Sequence, residues 1–180
     1  MKKNRNKASL ADLEKSIVAI ADWPEPGVTF RDITPLLEDP ELFRATIDRL
    51  AAACADKRID KIVGLDARGF IFASTLAYKL GAGLVLARKK GKLPRETCGR
   101  GYGLEYGKAV LEIHKDSIKE GEKILIVDDV LATGGTMAAA SGIVEELKGD
   151  IVGILCLIEL PALNGRKKLE AYEVESLFEF

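Results

Sequence analysis

Short apolar segments alternate with helical ones through the middle of the chain, and this alternation constrains the fold more than any other feature. Residues Lys61–Leu65 (KIVGL) have the length and apolar character of a buried strand. An apolar helix is predicted from Phe70 to Leu80, ended by Gly81, and a second strand from Leu84 to Ala87. Further elements are predicted at Lys123–Val127, Thr136–Lys148, Ile151–Ile158 and Glu173–Phe178. Strands that alternate with helices indicate an α/β fold with a parallel-sheet core flanked by helices.

The N-terminal part predicts two helices separated by an irregular segment. Ser9 is placed to cap the first helix, with Asp12 in the capping-box position. The apolar face of this helix comprises Leu10, Leu13, Ile17 and Ile20. Asp39 and Pro40 have the residue types of an N-cap and a first helical position, so a second helix is expected to begin there. The segment 28–37 between the two helices is expected to be a loop.

The composition indicates one domain, spanning residues 1–180, that acts on a small partner. The chain has 27 Lys and Arg residues against 28 Asp and Glu, for a net charge of −1. This balance argues against broad electrostatic binding to nucleic acid or to an anionic membrane. The 3 cysteines, Cys54, Cys98 and Cys156, are odd in number and far apart, which favours reduced thiols in the cytoplasm over a disulfide framework.

No targeting segment or membrane span is predicted. Asp12, Glu14 and Lys15 interrupt the apolar residues that follow the basic N-terminus, so this region does not resemble a signal peptide. The longest apolar run, Ile151–Ile158, is much shorter than the roughly 20 residues that cross a bilayer. We therefore expect a soluble cytoplasmic protein with a disordered tail at residues 1–8.

Three polar loops follow predicted strands and are expected to meet at one edge of the sheet. They are residues 66–69, the segment that begins at Arg88, and residues 128–135. Ligands of parallel α/β sheets bind beyond the carboxyl ends of the strands. Between the second and third of these loops, residues 109–114 alternate as an edge strand would. We therefore expect the ligand-binding and catalytic residues to lie in the three polar loops.

The stretch from Asp128 to Thr136 has the parts of a binding site for a ribose 5-phosphate. A buried strand leads into two adjacent carboxylates, which can accept hydrogen bonds from vicinal hydroxyls. A loop with two glycines then opens a helix, whose free N–H groups suit a phosphate. The same pattern could bind other phosphates or only form a tight turn, and the two acids could ligate a metal directly. Neither a Walker A loop nor a GxGxxG fingerprint is present.

This stretch closely resembles the phosphoribosyl diphosphate (PRPP) motif of the type I phosphoribosyltransferases. Three further segments resemble the adenine phosphoribosyltransferases within that family. They are Pro26–Ile33, Gly64–Phe70, and Lys92–Pro94 followed by Leu104–Gly107. The four segments occur in the family order and cover the chain from about Trp23 to Phe180.

The resemblance implies an enzyme of purine salvage. Members of this family transfer phosphoribose from PRPP to N9 of adenine and release AMP and pyrophosphate, with Mg²⁺ on the diphosphate of the substrate. The resemblance also implies a homodimer, a small N-terminal hood, and a flexible lid at residues 88–107. Two alternatives remain open: a phosphoribosyltransferase for another purine base, and a PRPP-sensing regulator that binds nucleic acid.

The resemblance also assigns roles to the residues that follow the strands. The residues expected to hold the 5-phosphate are Ala132, Thr133, Gly134, Gly135 and Thr136. The carboxylates of Asp128 and Asp129 are expected to face the ribose and to stabilise the positive charge that develops on it. The residues expected to bind pyrophosphate are Ala67, Arg68, Arg88, Lys89 and Lys92, with Arg68 also catalytic, and none is expected to bind a metal directly.

The remaining expectations concern the base and the lid. Glu105 is expected to approach N7 of adenine, as a general acid or as a hydrogen-bond acceptor. The residues expected to bind adenine are Val28, Thr29, Phe30 and Arg31, with Phe30 stacking on the ring. In the family a non-proline cis peptide occupies the position that corresponds here to Asp66–Ala67. The lid departs from the family in its glycine-rich sequence around Cys98, whose thiol is expected to be exposed.

Overall fold

The computed structural model describes residues 8–103 and 108–180. The chain divides into two compact units, residues 1–49 and residues 50–180. Most of the predicted tail lies outside the described residues.

The first unit contains less helix than its apolar pattern predicts. Helix α1 (Leu10–Lys15) begins at Ser9, whose Oγ accepts a hydrogen bond from the Asp12 N–H at 3.2 Å, so the predicted capping box is confirmed. The helix ends before Ile17, and Ile20 lies in strand β1 (Val18–Ile20) rather than on the helix. The β-branched Val18 and Ile20 suit a strand, and pairing with a second strand decides the conformation.

The segment predicted as a loop at residues 28–37 contains regular structure. Strand β2 (Phe30–Asp32) pairs antiparallel with β1, and helix α2 (Thr34–Glu38) follows at once. The Asp32 carboxylate accepts hydrogen bonds from the N–H and the hydroxyl of Thr34, both at 2.9 Å, which stabilises the first turn of α2. The loop prediction is therefore wrong for most of this segment.

Helix α3 (Pro40–Ala52) begins where its sequence predicts. Asp39 Oδ1 accepts hydrogen bonds from the N–H groups of Glu41 at 2.7 Å and Leu42 at 3.0 Å, as an N-cap residue does. Ile47 and Leu50 are buried on its inner face.

The second unit is built on one large sheet. Its strands are β3 (Lys61–Leu65), β4 (Gly83–Lys89), β5 (Thr97–Gly103), β6 (Lys108–His114), β7 (Lys123–Leu131), β8 (Asp150–Glu159) and β9 (Val174–Glu179). Within the described residues this sheet has 7 strands in the order β5-β6-β4-β3-β7-β8-β9. The pairs from β4 to β9 are parallel, and β6 runs antiparallel to β4 and β5. The prediction of an α/β fold with a mostly parallel sheet is confirmed.

Two helices cover opposite faces of this sheet. Helix α4 (Gly69–Leu80) packs on the face of Gly64, so closely that a methyl group on Gly64 would stand 2.6 Å from Cβ of Ala73. Helix α5 (Gly135–Glu146) belongs to the core on the other face, with Val63 and Leu65 of β3. Neighbouring residues of a strand point to opposite faces, so β3 is buried on both sides.

Two strand predictions need correction. Strand β6 lies between β4 and β5, so residues 109–114 do not form an edge; β5 is the outer strand, in register with β6 over the whole of Thr97–Gly103. The lid expected at 88–107 therefore contains an ordered strand, and its last residues, 104–107, lie outside the described part. Strand β7 extends to Leu131 because β8 continues to pair with it, which places Asp128 and Asp129 within the strand rather than in a loop.

None of the helices within residues 8–103 and 108–180 has the length and apolar character needed to cross a membrane.

Candidate active site

The three polar segments predicted to meet do meet, because β4, β3 and β7 are neighbours in the sheet and run parallel. Their carboxyl ends border a cavity of about 510 Å³. The residues that line it are Asp66, Ala67, Arg68, Lys89, Tyr102, Ala109, Asp128, Asp129 and Thr136. Six of the predicted site residues are among them. The topology therefore collects acidic, basic and hydroxyl groups in one place.

Two adjacent carboxylates occupy the end of β7. The Asp129 N–H donates a hydrogen bond to Oδ1 of Asp128 at 2.9 Å, which fixes the first carboxylate. Gly69, at the start of α4, packs against the same side chain: a methyl group there would stand 2.7 Å from Asp128 Oδ1. Any larger residue at Gly69 would therefore displace Asp128.

Burial makes both carboxylates harder to ionise. The pKa of Asp128 is raised well above its usual value by burial and then by the nearby charge of Asp129. The pKa of Asp129 is also raised by burial, although Arg68 opposes this shift. Arg68 Nη2 lies 2.6 Å from Asp129 Oδ2, and the Asp129 side chain is only 8% exposed. The site thus holds two carboxylates at a cost in solvation, as functional sites often do.

The predicted phosphate-binding residues form a tight turn between β7 and α5. Gly134 has a φ of 74°, a left-handed conformation that favours glycine, and α5 begins immediately after it. Among the described residues no side chain caps this helix, so its first N–H groups can bind an anion. Thr136 lines the cavity, and Thr133 is half-buried. The turn therefore offers N–H and hydroxyl donors to an anion.

The predicted pyrophosphate-binding residues lie at the ends of β3 and β4. Arg88 Nε lies 3.3 Å from Asp66 Oδ2, and Arg88 Nη1 donates to the carbonyl oxygen of Lys92 at 3.2 Å. Lys89 lines the cavity, whereas Lys92 is exposed and is not among the lining residues. The peptide bond between Asp66 and Ala67 is cis, as the resemblance implies.

The predicted adenine-binding residues belong to the first unit, whereas the cavity residues belong to the second. Phe30 and Arg31 lie in β2, and Val28 and Thr29 precede it. The ring of Phe30 meets that of Trp23 edge to face, with centroids 4.4 Å apart. Glu105 lies outside the described residues.

Sequence reasoning missed three residues and misjudged one. Tyr102 and Ala109 line the cavity because β5 and β6 pair beside it, which no local pattern indicates. Gly165, far along the chain, packs on the turn between β7 and α5. Cys98, expected to be exposed, is buried, and burial raises the pKa of its thiol to about 11. The thiol is therefore a poor nucleophile at neutral pH.

The cavity contains oxygen donors of the kind that bind metal ions. Asp66, Asp128 and Asp129 present carboxylates at the cavity, the ligand type that Mg²⁺ prefers. In the part of the chain that the structure describes, no group of three or more His, Cys, Asp or Glu residues is arranged to hold a metal ion. An ion carried into the cavity by a ligand would meet these carboxylates.

Comparison with known proteins gives consistent results. The phosphoribosyl transferase domain family matches residues 36–180. The chain is 52% identical over 169 residues to an adenine phosphoribosyltransferase of Clostridium botulinum, covering 94% of this chain and 98% of that one.

Solved structures agree with this match. An adenine phosphoribosyltransferase from Thermoanaerobacter pseudethanolicus superposes with a TM-score of 0.93 at 48% identity, covering 96% of this chain and 100% of that one. The enzyme from Saccharomyces cerevisiae, complexed with an imino-altritol bisphosphate and adenine, superposes with a TM-score of 0.89 at 40% identity, covering 93% and 97%.

Proposed function

Since this chain belongs to the adenine phosphoribosyltransferases of the type I phosphoribosyltransferase family, and so makes AMP and pyrophosphate from adenine and PRPP, we propose how its residues divide that reaction. One observation carries the proposal. The carboxylates of Asp128 and Asp129 stand beside the uncapped start of α5, in the same cavity as Arg68 and Lys89. These groups match, in order, the ribose, the 5-phosphate and the diphosphate of PRPP.

The 5-phosphate binds the turn between β7 and α5. The N–H groups at the start of α5 donate to its oxygens, and the hydroxyls of Thr133 and Thr136 add donors. The helix end contributes about 0.3–1 kcal/mol to holding a negative charge, and up to about 2 kcal/mol when partly buried. Ala132, Gly134 and Gly135 supply backbone that a ligand can approach closely.

Asp128 and Asp129 bind the ribose hydroxyls and stabilise the transition state. When the bond from C1 of the ribose to pyrophosphate breaks, positive charge develops on the sugar. Carboxylates held in place before the reaction favour that charge without having to reorganise. The Asp129 N–H and Gly69 hold Asp128 in position for this task.

The leaving pyrophosphate meets cations at the ends of β3 and β4. Arg68, Arg88, Lys89 and Lys92 supply positive charge, and the Ala67 N–H supplies a donor. Members of the family generally use PRPP together with Mg²⁺, which neutralises charge on the leaving group. The ion enters on the diphosphate rather than on a site built from the described residues.

The adenine site comprises Val28, Thr29, Phe30 and Arg31, and Glu105 approaches N7 of the base. The yeast relative complexed with adenine is 40% identical to this chain, which supports a similar base site. Adenine offers a flat apolar surface and an exocyclic amine, so an aromatic ring and backbone acceptors suit it.

Product formation by the pure protein tests this function. With PRPP and Mg²⁺ we expect AMP from adenine, and little nucleotide from hypoxanthine or guanine in competition with it. Omission of Mg²⁺ with added chelator is expected to abolish the reaction. Equal use of hypoxanthine would contradict the assignment of adenine as the base.

Glu105→Gln is expected to lower kcat roughly tenfold with little change in KM for PRPP, because glutamine keeps a neutral hydrogen bond and loses the charge-assisted one. Steady-state kinetics at saturating adenine measure the effect. Glu96→Gln is the matched control, since Glu96 is 85% exposed and pairs with Lys115. A variant with the parent kcat would remove Glu105 from the mechanism.

The protein is also proposed to act as a cytoplasmic homodimer. Tyr78 is 93% exposed at the end of α4, and Leu84 and Leu86 are exposed on β4, which provides apolar surface for a second subunit. The free thiols of all three cysteines suit a reducing compartment. Light scattering of the pure protein measures the mass in solution, and a monomer at assay concentration would contradict the homodimer.

A further inference from the structure

Gly165 packs directly on the phosphate turn, although more than twenty-five residues of chain separate the two. A methyl group on Gly165 would overlap the carbonyl oxygen of Ala132 and stand 3.0 Å from the backbone nitrogen of Gly134. Conversely, a methyl group on Gly134 would overlap the carbonyl oxygen of Gly165. The backbones of the two segments are therefore in close contact, and the Leu131 side chain lies beside them, since its Cδ1 would stand 2.9 Å from the same methyl group on Gly165.

Gly165 is the one buried residue of the segment 161–168, whose other members are exposed or partly exposed at the surface. It begins a short 3-10 helix (Gly165–Lys168) directly after Asn164, which has a left-handed φ of 54°. Gly165 is thus buried although its neighbours in the segment are exposed, which indicates that packing holds it at one position against the turn.

The neighbouring Arg166 anchors this segment to the sheet. Its Nε and Nη2 each donate to the carboxylate of Glu159 at 2.7 Å, and its Nη1 donates to the carbonyl oxygen of Val174 at 2.8 Å. The Glu159 side chain is only 5% exposed and also accepts from the hydroxyl of Ser176 at 3.1 Å. A bidentate ion pair of this kind fixes the orientation of the arginine side chain as well as its distance from the carboxylate.

We propose that Gly165, held by the Arg166–Glu159 pair, is a positioning residue for the 5-phosphate of PRPP: its backbone supports the turn at Ala132–Gly134 from behind. The inference rests on the proposed function, which places the phosphate at that turn. Neither Gly165 nor Arg166 lines the cavity, so their effect on the ligand passes through the turn. A small displacement of the N–H groups there weakens every hydrogen bond to the phosphate.

Gly165→Ala tests the inference. Because its methyl group would push on Ala132 and Gly134, affinity for ribose 5-phosphate is expected to fall on the order of tenfold to a hundredfold. Affinity for pyrophosphate, which binds at the ends of β3 and β4, is expected to stay within about twofold, as is KM for adenine. Calorimetry with each ligand separates the effects. A general loss of structure would weaken both ligands alike.

Gly153→Ala is the matched control, because a methyl group there meets Leu125 Cδ1 at 3.5 Å, an ordinary contact away from the turn. Arg166→Lys supplies a second test that leaves glycine unchanged. Lysine keeps the charge but cannot form the bidentate ion pair with Glu159. We therefore expect a selective loss of affinity for ribose 5-phosphate that is smaller than the loss in Gly165→Ala. Parent affinity in both variants would overturn the inference.

Thr133→Ala distinguishes this inference from the proposed function. If Thr133→Ala weakens ribose 5-phosphate binding while Gly165→Ala and Arg166→Lys do not, the phosphate is at the turn and the positioning role is wrong. If none of the three substitutions weakens it, the phosphate lies elsewhere and the proposed site itself is wrong.

Discussion

Asp128→Asn is expected to lower kcat about 10²–10³-fold and at the same time to raise the melting temperature. The loss of activity follows because asparagine carries no charge to stabilise the developing cation. The gain in stability follows because Asp128 is ionised at a cost: burial and the nearby Asp129 raise its pKa. If removal of this charge raises the free energy of unfolding by about 1 kcal/mol, the melting temperature of a chain of this size rises by about 2–4 °C.

The increase in stability of Asp128→Asn over the parent protein is expected to depend on pH. A carboxyl group whose pKa is raised by folding favours the folded state fully below its unfolded pKa of about 3.9, and this contribution is lost as the pH rises through the folded pKa. The stabilisation by asparagine should therefore be largest near neutral pH and fade in acid. Calorimetric melts at several pH values measure it.

Asp116→Asn is the control for both effects, because Asp116 is 67% exposed and pairs with Arg95 at the surface. It should change neither kcat nor the melting temperature. If Asp128→Asn retained full activity, the assignment of this carboxylate to the ribose would be wrong. If it lowered the melting temperature, the cost assigned to its ionisation would be wrong.

Arg68→Ala is expected to lower kcat/KM for PRPP about 10²–10³-fold and to destabilise the protein by about 1–3 kcal/mol. Arg68 is proposed to bind the leaving pyrophosphate, and it also pairs with the buried Asp129 at 2.6 Å. Its removal leaves that carboxylate without its cation. Since Arg68 is 37% exposed, solvent screens part of the pair, and the lower part of this range is expected.

In Arg68→Ala, the fall of kcat/KM on the acidic side of its pH profile is expected to occur at a higher pH than in the parent protein. Arg68 lowers the pKa of Asp129 against the effect of burial, so that pKa rises when Arg68 is lost. Activity that needs ionised Asp129 is then lost at a higher pH than in the parent. The destabilisation should shrink in acid, where Asp129 is protonated and needs no partner. Profiles of kcat/KM and urea unfolding against pH test both statements.

Arg58→Ala is the matched control for Arg68→Ala, since the Arg58 side chain is 80% exposed and pairs with Asp60. Arg68→Lys should restore part of the activity, because a cation remains within reach of the diphosphate. An unmoved acid limb in Arg68→Ala would show that Asp129 does not depend on this arginine.

Local patterns predicted the central elements well. The strand at Lys61–Leu65 matches its prediction, the helix that follows ends at Gly81 in a left-handed conformation, and Asp39 caps its helix. Each of these depends on residue types within a few positions of one another. The predictions failed where a distant strand decides the conformation, as at Ile20, which pairs with Phe30, and at residues 109–114, which lie between two strands.

By itself the sequence determined that the chain forms an α/β fold with a mostly parallel sheet and that two acids precede a glycine-rich turn at the start of a helix. These features depend on contiguous residues, so the periodicity and spacing of the sequence are enough to predict them. Only the tertiary structure decided that Arg68 pairs with Asp129, that Tyr102 borders the cavity, and that Gly165 packs against the turn at Ala132–Gly134. Such contacts depend on how distant segments pack in three dimensions, for which no local pattern provides a signal.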